Sequence, residues 1–260
     1  MSERKRKFFM FICVVIFVFS AVRLGMYFME YRKGDSIYEE ARRFVVVSEG
    51  LTQTETESEE IKREIDFKSL KDVNNDIVAW IYVEETPIDY PVLVGLDNAY
   101  YLNRTYDKQW SSFGSIFLDM DNRANFSDRH VIVYGHNMKN ESMFGILDKY
   151  QKQDFYDEHP YIYIYTEKGE MIYQVFSVYT THVDDATYSL SFAVDEQFMY
   201  MVNFMKASSL FESDLEIDAN DQILTLSTCT SNSSTMYRFV VNAVLIEDNQ
   251  GEAASTTEGE

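Results

Sequence analysis

Ile223-Leu224-Thr225-Leu226-Ser227-Thr228-Cys229 is an apolar, β-branched run that ends on a thiol, and no other stretch narrows the possible folds as much. Residues 231–235 are polar, and Tyr237-Arg238-Phe239-Val240-Val241 then opens a second apolar run with an arginine near its start. The pattern predicts strand, loop, strand. If the two strands pair antiparallel, Cys229 and Arg238 become neighbours. A guanidinium beside a thiol favours the thiolate, the reactive form. A second reading stands beside this one: a buried structural cysteine and a surface arginine, since unpaired cysteines are among the most buried residues.

The rest of the body is built from similar short runs. Residues 77–83 predict a strand. Residues 86–94 predict a turn and an edge-like strand, because Pro87 and Pro91 limit ladder bonds. Residues 98–102 suggest a short helical turn, and 114–119 and 130–136 two further strands. Residues 143–156 have helical spacing. Residues 161–165 and 171–179 form a hairpin across Glu167-Lys168-Gly169-Glu170. Residues 195–211 form an amphipathic helix with Phe198, Met201, Val202 and Met205 on one face. Many short strands with few helices between them point to a mainly β fold, a closed or nearly closed barrel. The 195–211 helix must cross between strands and cover part of it.

The chain starts differently. Arg4-Lys5-Arg6-Lys7 precede an apolar run over 8–22, which continues past Arg23 through 24–29. That length matches the roughly 20 residues a bilayer helix needs. Arg23 lies near one end, where its side chain can snorkel. The basic side should stay in the cytoplasm, leaving the C-terminal bulk outside. A cleaved signal peptide is the competing reading, but no small-x-small cleavage site follows the run. Residues 36–47 have helical spacing, with Asp35 or Ser36 as cap. Residues 49–64 are polar and acidic, a flexible spacer or an exposed helix. The expected domains are therefore an anchor over 1–33, a helical and acidic spacer over 34–66, a folded body over 67–247, and a disordered acidic tail over 248–260.

The formal net charge of −20 falls wholly beyond residue 33, because residues 1–33 hold seven Lys/Arg against Glu3 and Glu30. Such an acidic body repels phosphate backbones, which argues against nucleic acid as a partner. The two cysteines, Cys13 and Cys229, are not expected to form a disulfide, and no His/Cys spacing resembles a zinc site.

Of the four histidines, His136 stands out. It ends the predicted strand that begins at His130, follows Gly135, and opens a loop at Asn137-Met138, where functional side chains gather. His130, at the other end of that strand, is expected to be structural.

Tyr134-Gly135-His136-Asn137-Met138, Thr225-Leu226-Ser227-Thr228-Cys229 and Tyr237-Arg238-Phe239 together resemble the signatures of sortases, class B most of all. Thr86-Pro87-Ile88-Asp89-Tyr90-Pro91-Val92, Gly114-Ser115-Ile116-Phe117-Leu118-Asp119, Ser142-Met143-Phe144-Gly145 and the helix before the Cys229 strand are also similar to that class. The resemblance covers roughly residues 67–247. It implies an eight-stranded sortase-type β-barrel with N-terminal helices, behind one transmembrane helix, on a Gram-positive cell surface. It also implies a cysteine transpeptidase with Cys229 as nucleophile, His136 as general acid/base and Arg238 as the cation of the site. Ser227 or Thr228 would donate to substrate or orient Arg238, though either can equally be structural. The implied substrates are secreted proteins with a C-terminal sorting motif, cleaved after Thr. The implied acceptor is a peptidoglycan precursor amine or, in pilin-building relatives, a lysine. No cofactor and no metal are expected. A membrane-anchored barrel that binds peptide or wall polymer without catalysis is the rival reading.

Overall fold

The computed structural model describes residues 3–49, 61–230 and 236–250. The chain divides into two compact units, residues 1–40 and 41–260. The first is occupied by helix α1 (Glu3–Ala41). Its segment Glu3–Met26 is long and apolar enough, by length and composition, to cross a membrane.

The helical spacing expected to Val47 ends at Ala41. A single 3-10 turn, Arg42–Phe44, follows, and then strand β1 (Val45–Glu49). Three consecutive valines restrict side-chain rotamers in a helix and suit a pleated strand. β1 pairs antiparallel with β2 (Ile61–Ile65), so part of the stretch expected as spacer is a strand pair. Neither Asp35 nor Ser36 caps a helix, because α1 runs through both. Residues 50–60, the centre of that stretch, lie outside the described residues, as do the polar loop 231–235 and the tail beyond 250. β2 is fastened to the barrel by Arg63, whose guanidinium donates to the Asp89 carboxylate at 2.9 Å; the Trp80 indole donates to the same oxygen at 2.7 Å.

Helix α2 (Phe67–Val73) follows, capped by Asp66, whose carboxylate accepts from the Ser69 backbone N–H. Then come β3 (Ile77–Tyr82), β4 (Asp89–Val94), β5 (Ile116–Leu118) and β6 (His130–Tyr134). A 3-10 turn (Gly145–Gln151) and helix α3 (Gln153–Glu158) lead to β7 (Tyr161–Thr166) and β8 (Gly169–His182). Helix α4 (Asp195–Ser208), β9 (Ile223–Cys229) and β10 (Tyr237–Asp248) complete the body. The strands close into an eight-stranded barrel in the order β10-β8-β7-β3-β4-β5-β6-β9. All pairs are antiparallel except β4/β5 and β6/β9.

Two sequence expectations change. β4 is not an edge strand; it lies between β3 and β5. Pro91 is tolerated because the ladder to β5 begins only at Val92, so its missing N–H falls before that ladder. The helical spacing over 143–156 breaks at Lys152, whose backbone is extended, into the 3-10 turn and α3. The hairpin falls where the sequence predicts, and α4 starts at the expected Asp195 but ends at Ser208, short of Phe211. α4 buries Phe198, Met201, Val202 and Met205 against Phe176, Tyr179, Ile223, Val240 and Val244 of β8, β9 and β10.

Candidate active site

β9 lies between β6 and β10, and this order builds the site. Residues 223–228 of β9 are buried and Cys229, its last residue, is exposed. Across the antiparallel β10, Cys229 pairs directly with Arg238. Residues directly opposite in an antiparallel pair project to the same face with Cβ atoms roughly 5 Å apart. The thiol and the guanidinium are therefore neighbours, as the first sequence reading predicts, and the buried-cysteine reading falls.

On the other side, β6 runs parallel to β9, with Tyr134 paired to Ser227. The chain continues in that register beyond the strand. Gly135 N–H donates to the Ser227 carbonyl at 3.2 Å. The Thr228 hydroxyl donates to the Gly135 carbonyl at 2.8 Å. The Asn137 side-chain amide donates to the Cys229 carbonyl at 2.7 Å. Both neighbours of His136 are thus tied to the end of β9, and carrying the register onward sets His136 level with Cys229. Gly135 has to be glycine here: a Cβ would meet Ile116 Cδ1 at 2.5 Å and the Phe144 ring at 2.7 Å. The loop after His136 folds back, since Phe144 N–H donates to the His136 carbonyl at 3.0 Å and Asn137 bridges Met143.

His136 Nε2 lies 2.6 Å from the Leu102 carbonyl. A carbonyl only accepts, so Nε2 is the donor, which leaves Nδ1 as the acceptor nitrogen of the neutral ring. Leu102 ends up here through a 3-10 turn, Tyr100–Asn103, that no sequence motif marks as part of the site. Gly114 accommodates the turn with φ +58° and close approach to the Leu102 and Tyr101 carbonyls.

The two weaker candidates part ways. Thr228 is buried, and the one proton of its hydroxyl goes to Gly135, so it anchors the His136 loop and is not free to donate to substrate. Ser227, also buried, sits 2.9 Å from the Tyr188 hydroxyl. Sequence reasoning missed Tyr188, which belongs to the short 3-10 turn Ala186–Tyr188 after β8 and carries no motif. Burial pushes its phenol up to about 12; the Ser227 hydrogen bond and the nearby Arg238 charge act against this, while Cys229 adds to it. Tyr134 is raised by burial and then by Asp119, to which its hydroxyl donates at 2.7 Å; it too senses Tyr188 and Arg238. Tyr134 pairs with Ser227, which Tyr188 touches, so both tyrosines lie next to the β9 residue two before Cys229.

His130 is structural, as expected. It is fully buried, with Nδ1 2.8 Å from the Ser189 carbonyl and Nε2 2.8 Å from the Thr225 hydroxyl. Burial lowers its pKa to about 4, so it is neutral near pH 7. Among the described residues no group of His, Cys, Asp and Glu is arranged to hold a metal ion.

The chain that carries this arrangement is similar to known proteins. The Sortase domain family matches residues 81–246. The chain is 31% identical to the Sortase B of Listeria monocytogenes over 232 residues, 89% of this chain and 92% of that one. It is similar in structure to a Staphylococcus aureus sortase B–substrate complex, at 37% identity and TM-score 0.66, over 70% of this chain and 84% of the other. The sortase B of B. anthracis matches at 34% identity and TM-score 0.72, over 85% of this chain and all of that one. The chain belongs to the sortase family, as a class B sortase, and is a cysteine transpeptidase.

Proposed function

We propose that this sortase cleaves a C-terminal sorting motif of secreted proteins after its Thr and joins that Thr to an amine of the peptidoglycan precursor. Cys229 is the nucleophile, His136 the general acid/base and Arg238 the cation. The observation that supports these roles is the strand order β6-β9-β10, with Cys229 paired to Arg238 on one side and level with His136 on the other.

The Cys229 thiolate attacks the Thr carbonyl carbon, and the tetrahedral oxyanion forms beside the Arg238 guanidinium. The C–N bond then breaks. His136 Nδ1 gives a proton to the departing amine, leaving a thioester on Cys229. The acceptor amine attacks the thioester carbonyl and loses its proton to Nδ1. The C–S bond breaks, and the thiolate and imidazolium return. The Leu102 carbonyl keeps the Nε2 proton in place throughout, so the ring turns the same nitrogen to both amines. Tyr188 is held next to the Cys229 end of β9 by its hydrogen bond to the buried Ser227.

The same reading makes Glu3–Met26 a membrane anchor, with Arg4-Lys5-Arg6-Lys7 in the cytoplasm and the body, roughly residues 67–247, outside. Tethering raises the effective concentration of the enzyme near lipid-linked acceptor and newly exported substrate.

The test is a competition. The full chain in detergent micelles is given a panel of sorting peptides with and without a peptidoglycan-type amine, and products are weighed. Amine-dependent appearance of a ligated Thr product supports the reading. Cleavage at a site other than after Thr, or no ligated product with any amine, overturns it.

A further inference from the structure

We propose that Asn137 is a positioning residue for the nucleophile: its side-chain amide replaces the strand that β9 lacks at Cys229, and Asp148 holds that amide in place. The inference rests on the role of Cys229 given above.

The ladder between β6 and β9 stops at the pair Tyr134–Ser227, two residues short of the thiol. Cys229 is the exposed end of its strand, and strand ends fray unless something binds their backbone. On the β6 side that something is Asn137, whose Nδ2 donates to the Cys229 carbonyl at 2.7 Å. The same nitrogen lies 3.1 Å from Asp148 Oδ2. Its two protons thus have two oxygen acceptors, so the NH2 end of the amide must be the end facing both. The Asp148 carboxylate makes its bond charge-assisted, the stronger kind, and sits on the 3-10 turn Gly145–Gln151. The backbone of Asn137 is fixed as well, through its bridge to Met143. One side chain therefore fixes the residue carrying the thiol relative to the loop carrying His136.

Sulfur, imidazole and the substrate carbonyl must meet within tenths of an ångström, and a misplacement of about 1 Å costs on the order of 100-fold in rate. Loss of the clamp should slow chemistry and leave peptide binding alone, because Asn137 acts through Cys229.

The experiment measures kcat and KM for a sorting peptide, at saturating amine, in the full chain and in Asn137→Ala, Asp148→Ala and the double variant, with thermal midpoints for each. Asn137→Ala should lose about 10- to 100-fold in kcat with KM within about twofold and the fold intact. Asp148→Ala should lose less, and the double variant should be no slower than Asn137→Ala, because the proposal has Asp148 act on the thiol through the amide. A parent-like kcat in Asn137→Ala, or an Asp148 effect undiminished when Asn137 is already Ala, overturns the proposal. Should Asn137→Ala fail to fold, Asp148→Ala decides: a lowered kcat at unchanged KM supports the clamp, and a parent-like kcat overturns it. Mass analysis of the parent and of Cys229→Ala runs alongside. A parent that never acylates Cys229 sinks the reading of the site, whereas an acylating parent with an unaffected Asn137→Ala sinks this proposal alone.

Discussion

Arg238 carries a planar fork of donors and pairs with Cys229 in the β9–β10 ladder, one arm donating to the Tyr237 carbonyl at 3.0 Å. An ammonium on a flexible stem cannot hold two oxygens in that geometry. Arg238→Lys should therefore cut kcat about 100-fold while the thermal midpoint barely moves; the cost resembles that of removing one oxyanion donor. Steady-state turnover with a sorting peptide checks this, and near-normal turnover would remove Arg238 from the mechanism. His136→Ala should be nearly inactive at every pH, because His136 is the histidine that the β6–β9 register sets level with the thiol; a pH–rate profile with substantial activity would count against the proton-transfer role. His130 predicts an acid effect on stability instead. Its pKa falls from 6.5 to about 4 on burial, so between those values the unfolded chain binds a proton that the folded chain does not. Stability should thus be lost as pH drops through that window, by up to about 3 kcal/mol, and be fully present above pH 6.5. Urea unfolding of the parent and His130→Gln at pH 7 and pH 4.5 tests it: the gap between the two should shrink at the lower pH, and a constant gap would contradict it. At this scale the sequence was legible where a reactive group ended an apolar run. Cys229 and His136, each at the end of such a run, and Arg238, at the start of one, could be read as candidates in that way. Tyr188 and the Leu102 carbonyl could not, because each enters the site through a short 3-10 turn whose path is set by tertiary packing.

Elements were legible wherever hydrophobic period and length agreed. α4 is the clearest case: Phe198, Met201, Val202 and Met205 recur at helical spacing, and all four are buried on the barrel. Phe198→Ala should cost about 3–5 kcal/mol, read as a drop in the urea midpoint, with the Arg129 guanidinium that covers the ring also losing its seat. A loss under 1 kcal/mol would mean that α4 contributes little to the core. Gly135→Ala is the corresponding test for the β6 end. The added methyl collides with Ile116 and Phe144, so the His136 loop must shift, and kcat should fall together with stability. What misled was local chemistry that the fold overrides. Pro91 suggested an edge, yet a closed barrel has none, and the proline falls where one ladder has not begun. The valines of β1 share a helix-like spacing with Phe44, but their branching and the partner strand β2 make them extended.

At the scale of the whole molecule, one apolar helix near the basic start is joined to an acidic body whose reactive rim is built by three neighbouring strands. The order β6-β9-β10 is what no local pattern states: β6 and β9 are far apart in sequence and pair parallel, a contact reached only when the barrel closes. The resemblance of the three motifs to sortases implied a barrel without its strand order, and the strand pairing supplies that order. The account rests on one sulfur accepting an acyl group from threonine between an imidazole and a guanidinium. The most direct test is intact-mass and peptide-mapping spectrometry of the full chain quenched during turnover of a sorting peptide with no amine present. An added mass equal to the peptide up to and including its Thr, carried on the fragment containing Cys229, hydroxylamine-labile and absent from Cys229→Ala, is the predicted result. An adduct on another residue, or undiminished cleavage by Cys229→Ala, would contradict it.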